Sequence, residues 1–136
     1  MQSQPVQILA KGAPIVAGVL APHGFVASEV TVTRGSGGVG ASCNFIAGTK
    51  RLELHYRDSL GLVTYHVGRH SLSHEDYMHL AGHKGRNEYP GFPDFPLQSF
   101  DHLAHDLSTF CANFVSGDGS EIVSLSQMPP PPRRLP

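Results

Sequence analysis

Apolar residues recur along this chain with two periods, and the switch between them predicts the architecture. Over residues 5–21, Val6, Leu9, Ala13, Val16 and Leu20 fall at steps of three and four, the stripe of an amphipathic helix. Gly12 and Pro14 interrupt it, and Pro14 cannot donate to a helical ladder, so a kink or two short helices is expected. Pro22-His23-Gly24 closes the segment. From residue 26 the period shortens to two. Residues 26–33 alternate about Val30 and Val32, and residues 42–47 about Cys43, Phe45 and Ala47. Residues 51–57 place Leu52, Leu54 and Tyr56 on one face, with Arg51, Glu53, His55 and Arg57 on the other. Residues 61–67 add Leu62, Val63, Tyr65 and Val67. The connections are short and turn-rich, which makes neighbouring strands antiparallel with one face for the core.

The helical period then returns. Ser73 is placed to cap a helix, with Glu75 and Asp76 in its first turn and Gly82 after its end. Residues 83–96 read as a loop containing Pro90, Pro93 and Pro96. Residues 97–115 carry Leu97, Phe100, Leu103, Leu107, Phe110 and Phe114 on one helical face. The expected fold is α+β: a four-stranded antiparallel meander packed against helices, in the order α-β-β-β-β-α-α. Leu52, Leu54, Phe45 and Leu62 are expected to share its core with residues 97–115. The domain is expected to span residues 1–121, with residues 122–136 a Pro/Arg-rich tail.

Composition narrows the class. Of 136 residues, 40% are hydrophobic and 15% charged, which excludes an intrinsically disordered chain. No uninterrupted apolar run reaches the roughly 18 residues of a membrane span. The N-terminus lacks the charged region of a secretory signal. Two distant cysteines make no disulfide framework. A net charge of −1 excludes a strongly basic nucleic-acid binder. These features fit a soluble cytoplasmic protein without cofactor, nucleic acid or membrane. The charge is unevenly divided. Residues 1–73 hold six basic and three acidic side chains, or +3, whereas residues 74–121 hold two basic and eight acidic ones, or −6. Such an acidic half steers basic partners.

Several patterns bear on chemistry. Gly35-Ser36-Gly37-Gly38-Val39-Gly40 fits the letters of a dinucleotide fingerprint, but a strand follows it where that site needs a helix. It reads as a hairpin connection. His74-Glu75 followed by His79 has one residue too many for the zincin spacing, which turns the second imidazole about 100° away on a helix. His102, His105 and Asp106 share the last helix and are the nearest thing to a metal set. Cys43 and Cys111 fall on core faces, and Ser59, Ser71 and Ser73 at turns or caps, so no nucleophile stands out. The loop from Lys84 to Pro96 interleaves Tyr89, Phe92 and Phe95 with prolines and glycines and offers rigid aromatic anchors. Glu75, Asp76, Asp101 and Asp106 are expected to form an acidic rim around them.

The run Leu52-Glu-Leu-His-Tyr-Arg-Asp-Ser-Leu-Gly-Leu-Val-Thr-Tyr-His-Val-Gly68, with Leu72-Ser-His-Glu-Asp-Tyr-Met78 and Tyr89-Pro-Gly-Phe92, resembles small bacterial proteins, some similar in layout to immunity proteins of polymorphic toxin systems. The resemblance spans residues 20–116 and carries no catalytic residue. It implies a binding protein that neutralises one toxin, here one with a basic, nuclease-type surface. Two other readings remain open at this point: a structural or regulatory subunit of a larger assembly, and a histidine-dependent, metal-assisted enzyme.

Overall fold

The computed structural model describes residues 4–35, 38–89 and 95–129. The first helix, α1, runs without interruption from Gln4 to Leu20 and buries Val6, Leu9, Gly12, Val16 and Leu20. Pro14 does not divide it as expected. Pro14 and Ala10, whose carbonyl loses its helical donor, both face outward, where water replaces the missing bond. Gly12 meets the last long helix face to face. A Cβ there would lie 2.4 Å from the ring of Phe100, so only glycine permits this approach. With the turn Ala21–His23 that follows it, α1 forms a stretch of 20 residues long and apolar enough to cross a membrane. This differs from the expectation that no segment qualifies; here its apolar stripe packs against the sheet and the last long helix.

Six strands follow: β1 Val26–Ala27, β2 Thr31–Gly35, β3 Gly38–Ala47, β4 Lys50–Tyr56, β5 Leu60–Val67 and β6 His70–Ser73. All pair antiparallel, in the order β1-β3-β4-β5-β6, with β2 also on β3. β1 and β2 are the two halves of the single strand expected over residues 26–33. Ser28 separates them. Its N–H bonds the Asn44 carbonyl at 2.7 Å, and its Oγ accepts from the Asn44 N–H at 2.9 Å, a side-chain bond in place of a ladder bond. Gly35 and Gly38 face each other as β2 turns into β3, so the glycine-rich motif joins two strands. β6 was not legible as a strand, being four residues long after a tight turn at Gly68 (φ +59°).

The alternation on β4 holds: Leu52, Leu54 and Tyr56 are buried. On β5 it fails at one place. The pairing passes from Leu54↔Val63 to Tyr56↔Leu60, so one extra residue sits on β5. This bulge turns Leu60 inward along with Val63; Leu62, on the face opposite Val63, Tyr65 and Val67, is 58% exposed, outside the core it was expected to join.

Four helices close the chain: α2 His74–Leu80, α3 Gln98–Phe110, α4 Ala112–Val115 and α5 Ser120–Ser126. Ser73 caps α2, its Oγ accepting the Asp76 N–H at 3.2 Å. The expected final helix breaks at Cys111 into α3 and α4, although its apolar face (Phe100, Leu103, Leu107, Phe114) is buried throughout. α5 carries the fully buried Ile122, so the fold continues past residue 121 into the segment expected to be tail. Lys50 of β4 clasps this end. Its ammonium donates to the carbonyls of Phe114 (2.7 Å) and Gly117 (2.8 Å) and lies 5.0 Å from the centre of the Phe25 ring. The molecule is therefore α+β, with helices, among the described residues, on one face only of an antiparallel sheet.

Candidate functional site

A groove of about 700 Å³ opens between the β5 bulge and the start of α2, lined by Leu60, Leu62, Ser73, His74, Glu75 and Tyr89. His74 occupies the first position of α2 and shares a stripe with Tyr77 and Met78, so the helix turns it inward. Both of its ring nitrogens have a partner in the interior. Its Nε2 lies 2.9 Å from Asp106 Oδ2, and its Nδ1 lies 2.7 Å from the Tyr65 hydroxyl, which is 3.6 Å from Cys111 Sγ. Asp106, fully buried on α3, also accepts the N–H groups of Glu88 (2.7 Å) and Tyr89 (2.9 Å), and His105 Nδ1 lies 3.1 Å away.

The electrostatics fix the direction of these bonds. Burial raises the Asp106 carboxyl, but hydrogen bonds from His74, from the Glu88 and Tyr89 N–H groups and from His105 outweigh it. The carboxyl is held below its usual range and is ionised at neutral pH. An ionised carboxylate only accepts, so His74 donates from Nε2, and in the neutral ring Nδ1 is the acceptor for the Tyr65 O–H. Burial pushes Tyr65 well above the ordinary phenol range and Cys111 up to about 12, so both keep their protons. The result is a closed chain from Cys111 to Tyr65 to His74 to Asp106. Both His74 nitrogens are engaged. The chain pins α2, α3 and the Glu88–Tyr89 backbone together beneath the groove.

The sequence-derived site residues fall in different places. Tyr89 is not an exposed anchor. It is buried edge-on against His74, with its hydroxyl donating to the carbonyls of Leu60 (2.6 Å) and Gly61. Asp106 is not a rim residue, because the polar chain consumes it. Phe92 lies outside the described residues. Phe95 is 68% exposed, Glu75 is exposed at the groove, Asp101 is exposed on α3 and Asp76 is half-buried. His105 reaches Asp106, whereas Nδ1 of His102 is buried without a partner. Among the described residues no three His, Cys, Asp or Glu side chains form a group set to hold a metal.

A second histidine–carboxylate cluster lies on the open sheet face. Glu53 of β4 receives His55 Nε2 at 2.6 Å on one oxygen and His66 Nε2 of β5 at 2.7 Å on the other. Arg51 is 3.6 Å away and is also held by Asn44 Oδ1 at 2.8 Å. Partial burial raises Glu53, but the two imidazoles lower it more, and it sits below the ordinary range.

The His105–Asp106 contact falls within the set marked on the last helix, but the pairing with His74 and the Glu53 cluster were not expected, although His74 and Asp106 each interrupt an apolar stripe at helical spacing, a legible mark of a buried polar group. Compared with protein-family models, curated proteins and solved structures, the chain matches none.

Proposed function

We propose that this chain is a non-catalytic cytoplasmic binding protein of the immunity type, which blocks a cognate toxin by occupying its basic surface. The observation that carries the reading is the groove itself. Its floor is a polar chain already satisfied internally, so what it offers a partner is shape, an exposed apolar side chain (Leu62) and an acidic lip (Glu75). Glu75 and Asp101 are exposed carboxylates on α2 and α3, and Phe95 is an exposed ring at the start of α3. A nuclease-type toxin must present positive charge to hold its substrate, and such a surface complements these carboxylates. Exposed rim charges set association more than dissociation, whereas desolvated rings and aliphatic side chains set residence time.

The test is co-expression with a toxin domain encoded beside this chain, scored by growth and by the affinity of the purified pair. Asp101→Lys and Glu75→Lys are expected to slow association and flatten its salt dependence, and Phe95→Ala and Leu62→Ala to speed dissociation. Unchanged protection by all four variants would refute the groove and acidic lip as the docking site. A chain that neither binds nor protects against any neighbouring toxin refutes the reading as a whole.

A further inference from the structure

The open sheet face has an order of its own. One row across the sheet reads Val26, Ile46, Arg51, His66 and Ser71, each opposite the next on successive strands. The adjacent row reads Asn44, Glu53, Thr64 and Ser73. Among the described residues no helix covers these rows, and Val26 (70% exposed) and Ile46 (43%) form an apolar end beside the charged centre. The ionisable groups in the rows and next to them are Arg51, Glu53 and His55 of β4 and His66 of β5. β3 contributes Ser42, Asn44 and Ile46, β6 contributes Ser71 and Ser73, and β2 contributes Thr31 opposite Ser42.

Glu53 does more than pair with its neighbours. As an ionised acceptor it holds the N–H of both imidazoles on Nε2, which leaves each Nδ1 as a bare acceptor while the ring is neutral. No other protein group engages either Nδ1 among the described residues. One proton on each ring converts both Nδ1 atoms into donors without disturbing the bonds to Glu53. Arg51 and Glu53 cancel, so the two protons change the patch from neutral to +2.

We infer that the open face of the sheet is a second docking surface, for an acidic protein partner, and that protonation of His55 and His66 switches it on. Charge complementarity selects an anionic occupant. The row Val26–Ile46 beside Arg51 and His66 selects a protein, because carboxylates set next to aliphatic side chains match both ends of the row and a polyphosphate matches only one. Ser73 belongs both to this face and to the lining of the groove, so the two surfaces adjoin, but the inference does not depend on the toxin reading.

The experiment uses a fluorescent acidic octapeptide of glutamates with two leucines, titrated with the full chain at pH 5.5 and 7.5 at one low salt concentration. Binding is expected to be roughly tenfold tighter at pH 5.5. His55→Gln/His66→Gln removes that difference. His23→Gln/His79→Gln, which deletes two titrating rings elsewhere and changes net charge equally, retains it. Ile46→Asp weakens binding at pH 5.5. Unchanged melting temperatures of the three variants ensure that folding is not the variable. The inference is overturned if both double variants lose the pH dependence equally, which makes it an effect of net charge. It is overturned also if single-stranded DNA of equal charge competes as well as the peptide, or if the peptide shows no tighter binding at pH 5.5.

Discussion

The two clusters are built from the same parts, a carboxylate approached by two imidazoles, and they do opposite things. Asp106 is fully buried and takes two backbone N–H groups as well as His74 and His105. Glu53 is a quarter exposed and takes His55 and His66, with Arg51 nearby. In the interior every donor has one acceptor and no spare site remains, so the cluster is a fastener. On the sheet each ring keeps one nitrogen toward solvent, so the cluster can change state without unfolding anything. The difference lies in what surrounds the carboxylate and owes nothing to residue type. Dehydrated groups are costly to leave unpaired, whereas hydrated ones exchange a lost partner for water.

The largest effect that separates them is deletion of the carboxylate. Asp106→Ala leaves His74 and two backbone N–H groups without an acceptor and is expected to cost about 3–5 kcal/mol. Glu53→Ala is expected to cost under about 1 kcal/mol. Chemical denaturation of the two variants measures both, and equal losses break the comparison. A smaller effect comes from one hydroxyl. Tyr65→Phe removes the donor to His74 Nδ1 and is expected to cost about 1–3 kcal/mol, while His66→Gln on the sheet stays within about 0.5 kcal/mol in the same assay.

The pH dependence sharpens the contrast further. Asp106 and Glu53 both have folded values below their unfolded ones, so the stability they supply is complete above the unfolded carboxylate range near pH 4. It is lost as pH falls through their lower folded values. Asp106→Asn is expected to flatten this acid limb more than Glu53→Gln does, by thermal melts between pH 2 and pH 5. At the other end, burial raises Cys43 from 9.0 to about 11 and Cys111 from 9.0 to about 12. Their contribution is complete below pH 9 and is lost as pH climbs toward those values. A stability profile flat above pH 9 contradicts that burial.

The sequence foretells the sheet where each strand has one wet face. Leu52, Leu54 and Tyr56 alternate with charged residues, and they are buried as that alternation requires. Leu62 was expected in the core against the alternation of its own strand: Val63, Tyr65 and Val67 take the inner face and leave it outside, while a bulge that no residue type announces brings Leu60 in. The sequence misleads at Tyr89, since an aromatic ring in a proline-rich loop is equally suited to an interface or to an interior, and two backbone carbonyls on β5 decide the matter. His74 and Asp106 are visible one at a time as polar breaks in apolar stripes. Their pairing joins residues 32 apart in sequence, and only the packing of α2 on α3 brings them together. Glu53, His55 and His66 look like ordinary outward residues until the β4–β5 register places them side by side.

Lys50 has a consequence for how the chain is made. Its acceptors at Phe114 and Gly117 lie 64 and 67 residues downstream. At a synthesis rate of about 5–20 residues per second, roughly 3 to 13 seconds separate the ammonium from the carbonyls it will bind. Through that interval the β3–β4 hairpin can form, but the helical end that Lys50 clasps does not yet exist. The clasp is therefore a late, long-range closure, and the nascent molecule carries a waiting cation until the segment from Phe114 to Gly117 emerges.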